Sequence, residues 1–215
     1  AAIVLCSLWV PNAQPSSGNR KVLADGFFKQ LRSPGVLAFY ACVALMQMSH
    51  GPYYTFLTLH LESLGYSRGM IGLLWALGVV AEVLMFMAMR RILLRFSVRR
   101  VLLFSFLTAG VRWLLLGSFA EHFWLLLLAQ LMHAATFGSF HAAAMTFVQR
   151  SFGPGQQGQG QALYATLAGV GGAAGALYAG YAWNTLGPTI TFSMASVAAL
   201  AAAVIIATRL QEDRP

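Results

Sequence analysis

Four ionisable residues stand in the middle of long apolar stretches of this sequence. Glu82 and Arg112 carry full formal charge, and His133 and His50 lie at similar depths within their own stretches. A charged side chain at the centre of a bilayer costs about 2.5–3.5 kcal/mol even on a lenient scale, so such residues mark ion or substrate pathways. A carboxylate that gains or loses an arginine partner releases or takes up a proton. The chemistry indicated is reversible protonation inside a membrane.

Each of the four residues lies on a stripe of polar, aromatic or methionine side chains spaced three or four apart, which is one face of a helix. The candidates for proton coupling are Glu82, His133 and His50. The candidates for substrate binding are Arg112, Tyr54, Trp75, Phe86, Phe137, Gln47 and Gln130.

A structural interpretation of the same residues stays open. Glu82 and Arg112 could form a buried ion pair that fixes the register of two helices, with the histidines as hydrogen-bonded packing residues. The sequence has no metal-ligand spacing, phosphate-binding loop or nucleophile motif. We therefore expect no metal, no cofactor and no enzymatic activity.

The stretches that carry these residues are long enough to cross a bilayer. The chain is 58% hydrophobic and 9% charged, whereas soluble domains carry about 25% charged residues. Blocks of about 20 apolar residues span the hydrocarbon core as helices, and here they occupy 36–61, 70–89, 101–119, 123–148, 161–184 and 188–208. The prediction is an all-α integral membrane bundle of six transmembrane helices, with 1–10 as the end of a truncated further helix.

The distribution of basic residues predicts the orientation of the bundle. The net charge of +8 does not indicate nucleic-acid binding, because the basic residues concentrate in alternate gaps between the blocks. The positive-inside rule makes those gaps cytoplasmic. Residues 11–35, rich in Pro, Ser and Gly before turning basic, are predicted to be a flexible cytoplasmic linker, and 209–215 a cytoplasmic tail.

Two local patterns predict details of helix shape and packing. Proline removes a backbone donor, so Gly51-Pro52 predicts a kink in the first block. Small residues four apart let helices approach closely. That spacing predicts a tightly packed face in the fifth block, formed by Ala168, Gly172, Ala176 and Gly180, with Gly171 and Gly175 alongside.

Several strings resemble the phenylpropionate permease group of the major facilitator superfamily, which is related to lactose permease. They are HGPYY at 50–54, GLLWALG at 72–78, RWLLL at 112–116, QLMH at 130–133 and GQALY at 160–164. The resemblance implies the C-terminal half of a carrier, with 36–208 as helices seven to twelve. It also implies a missing N-terminal six-helix half as partner and a multi-pass location in a bacterial inner membrane.

The resemblance further implies proton symport of a small aromatic carboxylate. Arg112 would then pair with the carboxylate, and the aromatic candidates would face the ring. Lactose permease has a proton-accepting Glu where this sequence has Thr136, so Glu82 becomes the leading proton site. The alternatives are a proton-coupled sugar or nucleoside symporter, a proton antiporter that exports hydrophobic compounds, and a membrane scaffold that transports nothing.

Overall fold

A computed structural model describes the backbone of residues 20–211 and the side chains of 26–211. The predicted helix end at 1–10, the first part of the predicted linker and the last four residues of the predicted tail lie outside these ranges. All regular structure in the described residues is helical, as the composition predicts.

Eight α-helices and one π-helical segment follow one another along the described chain. They are α1 (Arg20–Leu31), α2 (Pro34–Ser49), α3 (Gly51–Ser63), α4 (Arg68–Leu93), α5 (Val98–Ser118), α6 (Phe123–Leu131), the π-helical segment (Ala134–Ser139), α7 (Phe140–Ser151) and α8 (Gln157–Arg209). Four helical runs are long and apolar enough to cross a membrane: α4, α5, the run Phe123–Ser151 and α8. At 16 and 13 residues, α2 and α3 are each shorter than any of these four runs.

Part of the predicted flexible linker is ordered as α1. Near the end of this helix, Phe27 is buried, and its ring stacks on that of Phe152 with centroids 5.0 Å apart. Burial of an aromatic ring stabilises the packing of α1 on the bundle. The structure therefore differs from the expected flexible connector in this stretch.

The predicted kink in the first block is confirmed as a break between α2 and α3. The backbone N–H of His50 donates to Met46 O at 3.2 Å and to Gln47 O at 3.1 Å, which tightens the last turn of α2. Pro52 occupies the first turn of α3, where its missing N–H costs least. The break places His50 at the junction of the two helices.

The long helix α8 consists of two arms, 157–186 and 188–209, separated at Gly187. This glycine has φ 81° and ψ 175°, a conformation that residues with a Cβ rarely adopt. Pro188 then starts the second arm with its fixed φ. One glycine and one proline thus end the first arm and begin the second.

Contacts with α2 show that the two arms run in opposite directions. Tyr40 Oη donates to Gly160 O at 2.9 Å, and Cys42 Sγ donates to Ala202 O at 3.4 Å. The two donors are two residues apart, whereas their acceptors lie near opposite ends of α8. The chain must therefore reverse at Gly187, so that both arms pack along α2.

The first arm of α8 approaches α2 and α3 through two glycines. A Cβ built on Gly175 would lie 2.5 Å from Met48 O, and one built on Gly171 would clash with the backbone of α2. A Cβ on Gly172 or Gly180 would meet nothing within 4 Å. The close approach predicted for this helix is confirmed at Gly171 and Gly175, which the prediction placed alongside the main row, and not at Gly172 or Gly180, because spacing alone does not say which small residues face a neighbour.

Candidate functional site

The four ionisable residues converge where the α2–α3 junction, α4, α5 and the π-helical segment meet. His133 Nε2 lies 3.3 Å from Glu82 Oε2. The rings of His133 and His50 have centroids 6.4 Å apart, and His50 packs edge-on against Trp113 at 4.8 Å. The Arg112 guanidinium lies 4.7 Å from the Trp113 ring. The structure therefore brings all four residues into one cluster.

Arg112 is fully buried and is held by the chain itself. Its Nε donates to Ala129 O at 2.8 Å, and its Nη1 donates to Thr136 Oγ1 at 3.0 Å. Its guanidinium carbon lies 4.2 Å from the ring centroid of Tyr53 and 4.7 Å from that of Trp113, within the range of cation–π attraction. Nη2 has no hydrogen-bond partner among the described residues. This nitrogen of the buried cation is therefore available to a ligand.

Glu82 pairs with histidine and not with arginine. The sequence allowed a buried Glu82–Arg112 ion pair, but none occurs among the described residues. The reason is geometric, because Arg112 donates to α6 and the π-helical segment. On the other side, Glu82 packs against Gly138, where a Cβ would lie 3.4 Å from Glu82 Cγ, at the near limit of ordinary contact. Glu82 contacts His133 while its side chain stays 18% exposed.

A π-helical segment, Ala134–Ser139, directly follows His133. Such i→i+5 turns are rare and frequently occur at functional sites. This segment carries Thr136, which accepts from Arg112. It also carries Phe137, whose ring stacks on that of His133 with centroids 5.4 Å apart. The π-helical geometry was not foreseen, because its sequence, AATFGS, contains no proline or other sign of a wider turn.

Three of the predicted aromatic residues adjoin the charged cluster. Tyr54 stacks on Trp75 at 6.3 Å and on His50 at 5.9 Å. Phe137 lies 6.1 Å from His50 in addition to its contact with His133. Tyr54 is 50% exposed, so these rings form the edge of the cluster that opens on the bundle surface.

Phe86 lies one step further from the cluster. Its ring is 6.2 Å from that of His141, which stacks on Phe137 at 6.3 Å. His141 Nδ1 also lies 3.0 Å from Tyr164 Oη, a contact to the first arm of α8. Phe86 is therefore connected to the charged residues only through other rings.

The two predicted glutamines differ in their surroundings. Gln130 is fully buried, and its Nε2 donates to Leu74 O at 3.1 Å, which ties α6 to α4. Gln47 is half-buried on α2. Gln130 thus already has a structural partner, although its Oε1 is buried without one among the described residues.

Tyr53 belongs to the cluster and was not predicted. It is fully buried, its ring lies beneath the Arg112 guanidinium, and its centroid is 5.5 Å from that of His133. Its Oη has no hydrogen-bond partner among the described residues. Sequence reasoning chose Tyr54 because a stripe drawn through His50 assumes one unbroken helix. The only available signal was the adjacency of two tyrosines to the predicted kink.

Comparison with known proteins identifies the family of this chain. The chain matches the model of the MFS_1 like family over residues 1–194, and it therefore belongs to that family of membrane transporters. It is 34% identical over 201 residues to the "Probable 3-phenylpropionic acid transporter" of Escherichia coli (strain K12). That match covers 92% of this chain and 52% of the relative, so the chain spans about half the length of the curated relative it matches.

These matches confirm the resemblance inferred from the sequence strings. Together with the four membrane-capable helices, they identify a multi-pass membrane protein of a transporter family. They point to transport and not to an enzymatic reaction.

Proposed function

We propose that this chain is the C-terminal bundle of a secondary active transporter that carries a small aromatic carboxylate together with a proton. The observation that carries the proposal is a buried arginine with one unpartnered nitrogen, set among aromatic rings beside a His133–Glu82 pair. The printed name of the Escherichia coli relative, a transporter of 3-phenylpropionic acid, supports the same substrate class.

We interpret the described helices as six membrane crossings. The crossings are α2 with α3, then α4, α5, the run Phe123–Ser151, and the two arms of α8. The second and shorter arm, 188–209, rises about 33 Å at 1.5 Å per residue, which is enough for the hydrocarbon core. The basic loops and the C-terminus then face the cytoplasm of a bacterial inner membrane, in agreement with the positive-inside rule.

An N-terminal six-helix bundle would complete the carrier. Tyr54 and Phe86 are 50% and 39% exposed; Tyr54 lies beside the charged cluster, and Phe86 is connected to it through His141 and Phe137. In carriers of this superfamily, substrate is held between two such bundles near the membrane midplane. The open aromatic edge of the cluster is the surface that we assign to this interface.

The substrate carboxylate would contact Arg112 through a single nitrogen. Nε and Nη1 each donate one N–H, to Ala129 O and Thr136 Oγ1, which leaves both N–H groups of Nη2 for the carboxylate. Nη2 and Tyr53 Oη are both buried, and neither accepts or donates a hydrogen bond within the described part of the chain. A buried polar group left unpaired costs about 1–3 kcal/mol, so an incoming carboxylate that accepts from both atoms gains that free energy. The substrate ring would then pack against Trp75 and the neighbouring aromatic residues.

Proton coupling would follow from the charge of the His133–Glu82 pair. An anionic substrate at Arg112 is repelled by an ionised Glu82 across a poorly solvated cluster. Protonation of the pair removes that repulsion, so proton and substrate bind more tightly together than separately. The loaded carrier then reorients and releases both inside.

Proton flux in proteoliposomes tests the proposal on the full-length carrier. Addition of 3-phenylpropionate outside should make the external medium more alkaline if proton and acid enter together. Acidification would instead indicate an antiporter, a response only to sugars or nucleosides would indicate the other symporter class, and no response to any of them would indicate a scaffold. Each of these three results would refute aromatic-acid symport.

Glu82→Gln tests the assignment of the proton site. This variant should lose accumulation against a gradient while keeping substrate exchange, because the amide cannot release a proton. Glu62→Gln is the matched control, since Glu62 is a surface carboxylate paired with Arg68 at 3.1 Å. If Glu82→Gln still accumulates substrate, the proton site lies elsewhere, with His133 and then His50 next in line.

A further inference from the structure

A cleft of about 320 Å³ opens between α4 and α5 near their arginine-rich ends. Its walls include Met85 and Ile92 of α4 and Val101 and Phe104 of α5. The two α4 residues are seven positions apart, so the cleft follows about 10 Å of that helix. None of these four side chains makes a described hydrogen bond or ring contact with the Arg112 cluster. The cleft is therefore a separate site.

The interior of the cleft suits an apolar occupant. Ser139 is a polar residue at its wall, and the Ser139 hydroxyl already bonds to Ala135 O and lies 2.9 Å from Ser105 Oγ. Apolar cavities without unsatisfied polar atoms stay free of water and bind apolar groups. A hydrocarbon chain therefore fits the cleft better than a charged substrate does.

The mouth of the cleft is aromatic and basic. Phe96 and Arg100 line it, and Arg95 is exposed on the loop that joins α4 to α5. Arg91 and Arg99 flank the same loop. Basic residues on the cytoplasmic side of transmembrane helices attract anionic lipid headgroups.

The surface beside the cleft faces hydrocarbon and not the other bundle. On α5, Phe104, Leu107 and Val111 are all more than half exposed and form one apolar stripe. The aromatic edge that we assign to the N-terminal bundle instead includes Tyr54 and Phe86. The cleft thus opens on a face whose composition matches lipid.

We propose that the cleft binds one acyl chain of an anionic phospholipid, whose phosphate contacts Arg95 and Arg100. The chain fills the apolar volume, and the phosphate lies at the basic mouth. Met85 is one helical turn from Glu82, so the bound lipid packs against the helix that carries the candidate proton site. The lipid is accordingly a ligand of this bundle and independent of the transported substrate.

Native mass spectrometry of the full-length carrier tests the headgroup contact. The probes are phosphatidylglycerol and phosphatidylcholine with identical acyl chains, and phosphatidylglycerol should be retained preferentially. Arg100→Gln and Arg95→Gln should each weaken its retention about fivefold, the effect of one arginine at a membrane surface. The cap of α5 survives in Arg100→Gln, because Ser97 Oγ accepts from the backbone N–H of residue 100.

Arg150→Gln is the control of equal charge, since Arg150 is exposed at the same side but beside a different cleft. It should retain phosphatidylglycerol as the unsubstituted carrier does. Equal retention of both lipids, or an Arg150→Gln effect as large as that of Arg100→Gln, would overturn the proposal, because either result means general surface charge.

A photocrosslinking residue at Phe104 tests the occupant directly. Illumination in vesicles should attach phospholipid to this position. Crosslinking to the N-terminal bundle in place of lipid would show that protein covers the cleft, and it would refute lipid binding even if the arginine variants behaved as expected.

Discussion

Gly175→Ala tests a close helix contact between the first arm of α8 and the α2–α3 junction. The added Cβ would lie 2.5 Å from Met48 O and 3.0 Å from Gly51 Cα. Ordinary contacts begin at 3.4 Å, and both neighbours are backbone atoms that cannot rotate away. The first arm of α8 must therefore move outward by roughly 1 Å, which loosens packing along α2, because well-packed interiors do not absorb extra methyl groups freely.

The expected loss of stability follows from two opposing effects. Overpacking costs about 1–3 kcal/mol, whereas alanine is favoured over glycine in a helix by about 1 kcal/mol. The net destabilisation of Gly175→Ala should be about 1–2 kcal/mol. Gly172→Ala, three residues earlier on the same helix, meets nothing within 4 Å and should gain up to about 1 kcal/mol.

Denaturant unfolding of the purified full-length carrier in one detergent measures the difference between the two variants. The midpoint should fall for Gly175→Ala and hold or rise for Gly172→Ala. Equal midpoints would refute the argument, because the two substitutions differ only in what the added methyl group touches. A higher midpoint for Gly175→Ala would mean that the helices are further apart than described.

Three further substitutions probe the cluster and the hairpin. Tyr53→Phe removes an Oη that has no protein partner, so stability should hold while the KM for the aromatic acid rises about fivefold to tenfold. Uptake kinetics with the exposed Tyr181→Phe as control measure this, and an unchanged KM would remove Oη from the carboxylate site. Thr136→Val takes the acceptor from Arg112 Nη1 and should lower stability by about 1–3 kcal/mol in thermal unfolding, with Ser at this position restoring it. Gly187→Ala forces a Cβ onto a backbone with φ 81° and ψ 175° and should cost about 1–3 kcal/mol, so an unchanged thermal midpoint would contradict the described turn.

Features with a local chemical cause were predictable from the sequence. The break at His50 follows from Pro52, which lacks a donor wherever it stands in a helix. The burial of Arg112 follows from its place inside an apolar block, since a charge there must be shielded from hydrocarbon. The convergence of His50 and His133 followed from their similar depth together with the polar helix faces on which both lie, because such faces turn away from lipid and toward one another.

Features that depend on rotation or on tertiary bonds were not predictable. Small-residue spacing included Gly171 and Gly175 but did not select them over Gly172 and Gly180, because one residue is about 100° of rotation and every face of that arm is rich in Ala and Gly. The partner of Glu82 depended on where the guanidinium of Arg112 points. That direction is set by Thr136, which lies in a π-helical turn without a sequence signature.

The bonds of Arg112 also constrain how the chain enters the membrane during synthesis. Its two acceptors, Ala129 O and Thr136 Oγ1, come 17 and 24 residues later in the chain. When α5 first leaves the ribosome, neither acceptor has yet followed it out, and a lone arginine in hydrocarbon costs about 2.5–3.5 kcal/mol. The translocon must therefore hold α5 until the next crossing arrives, so that the two leave for the lipid as one helical pair. A nascent chain stalled when α5 alone has left the ribosome should remain bound at the translocon, and one stalled when the run Phe123–Ser151 has also left should be released.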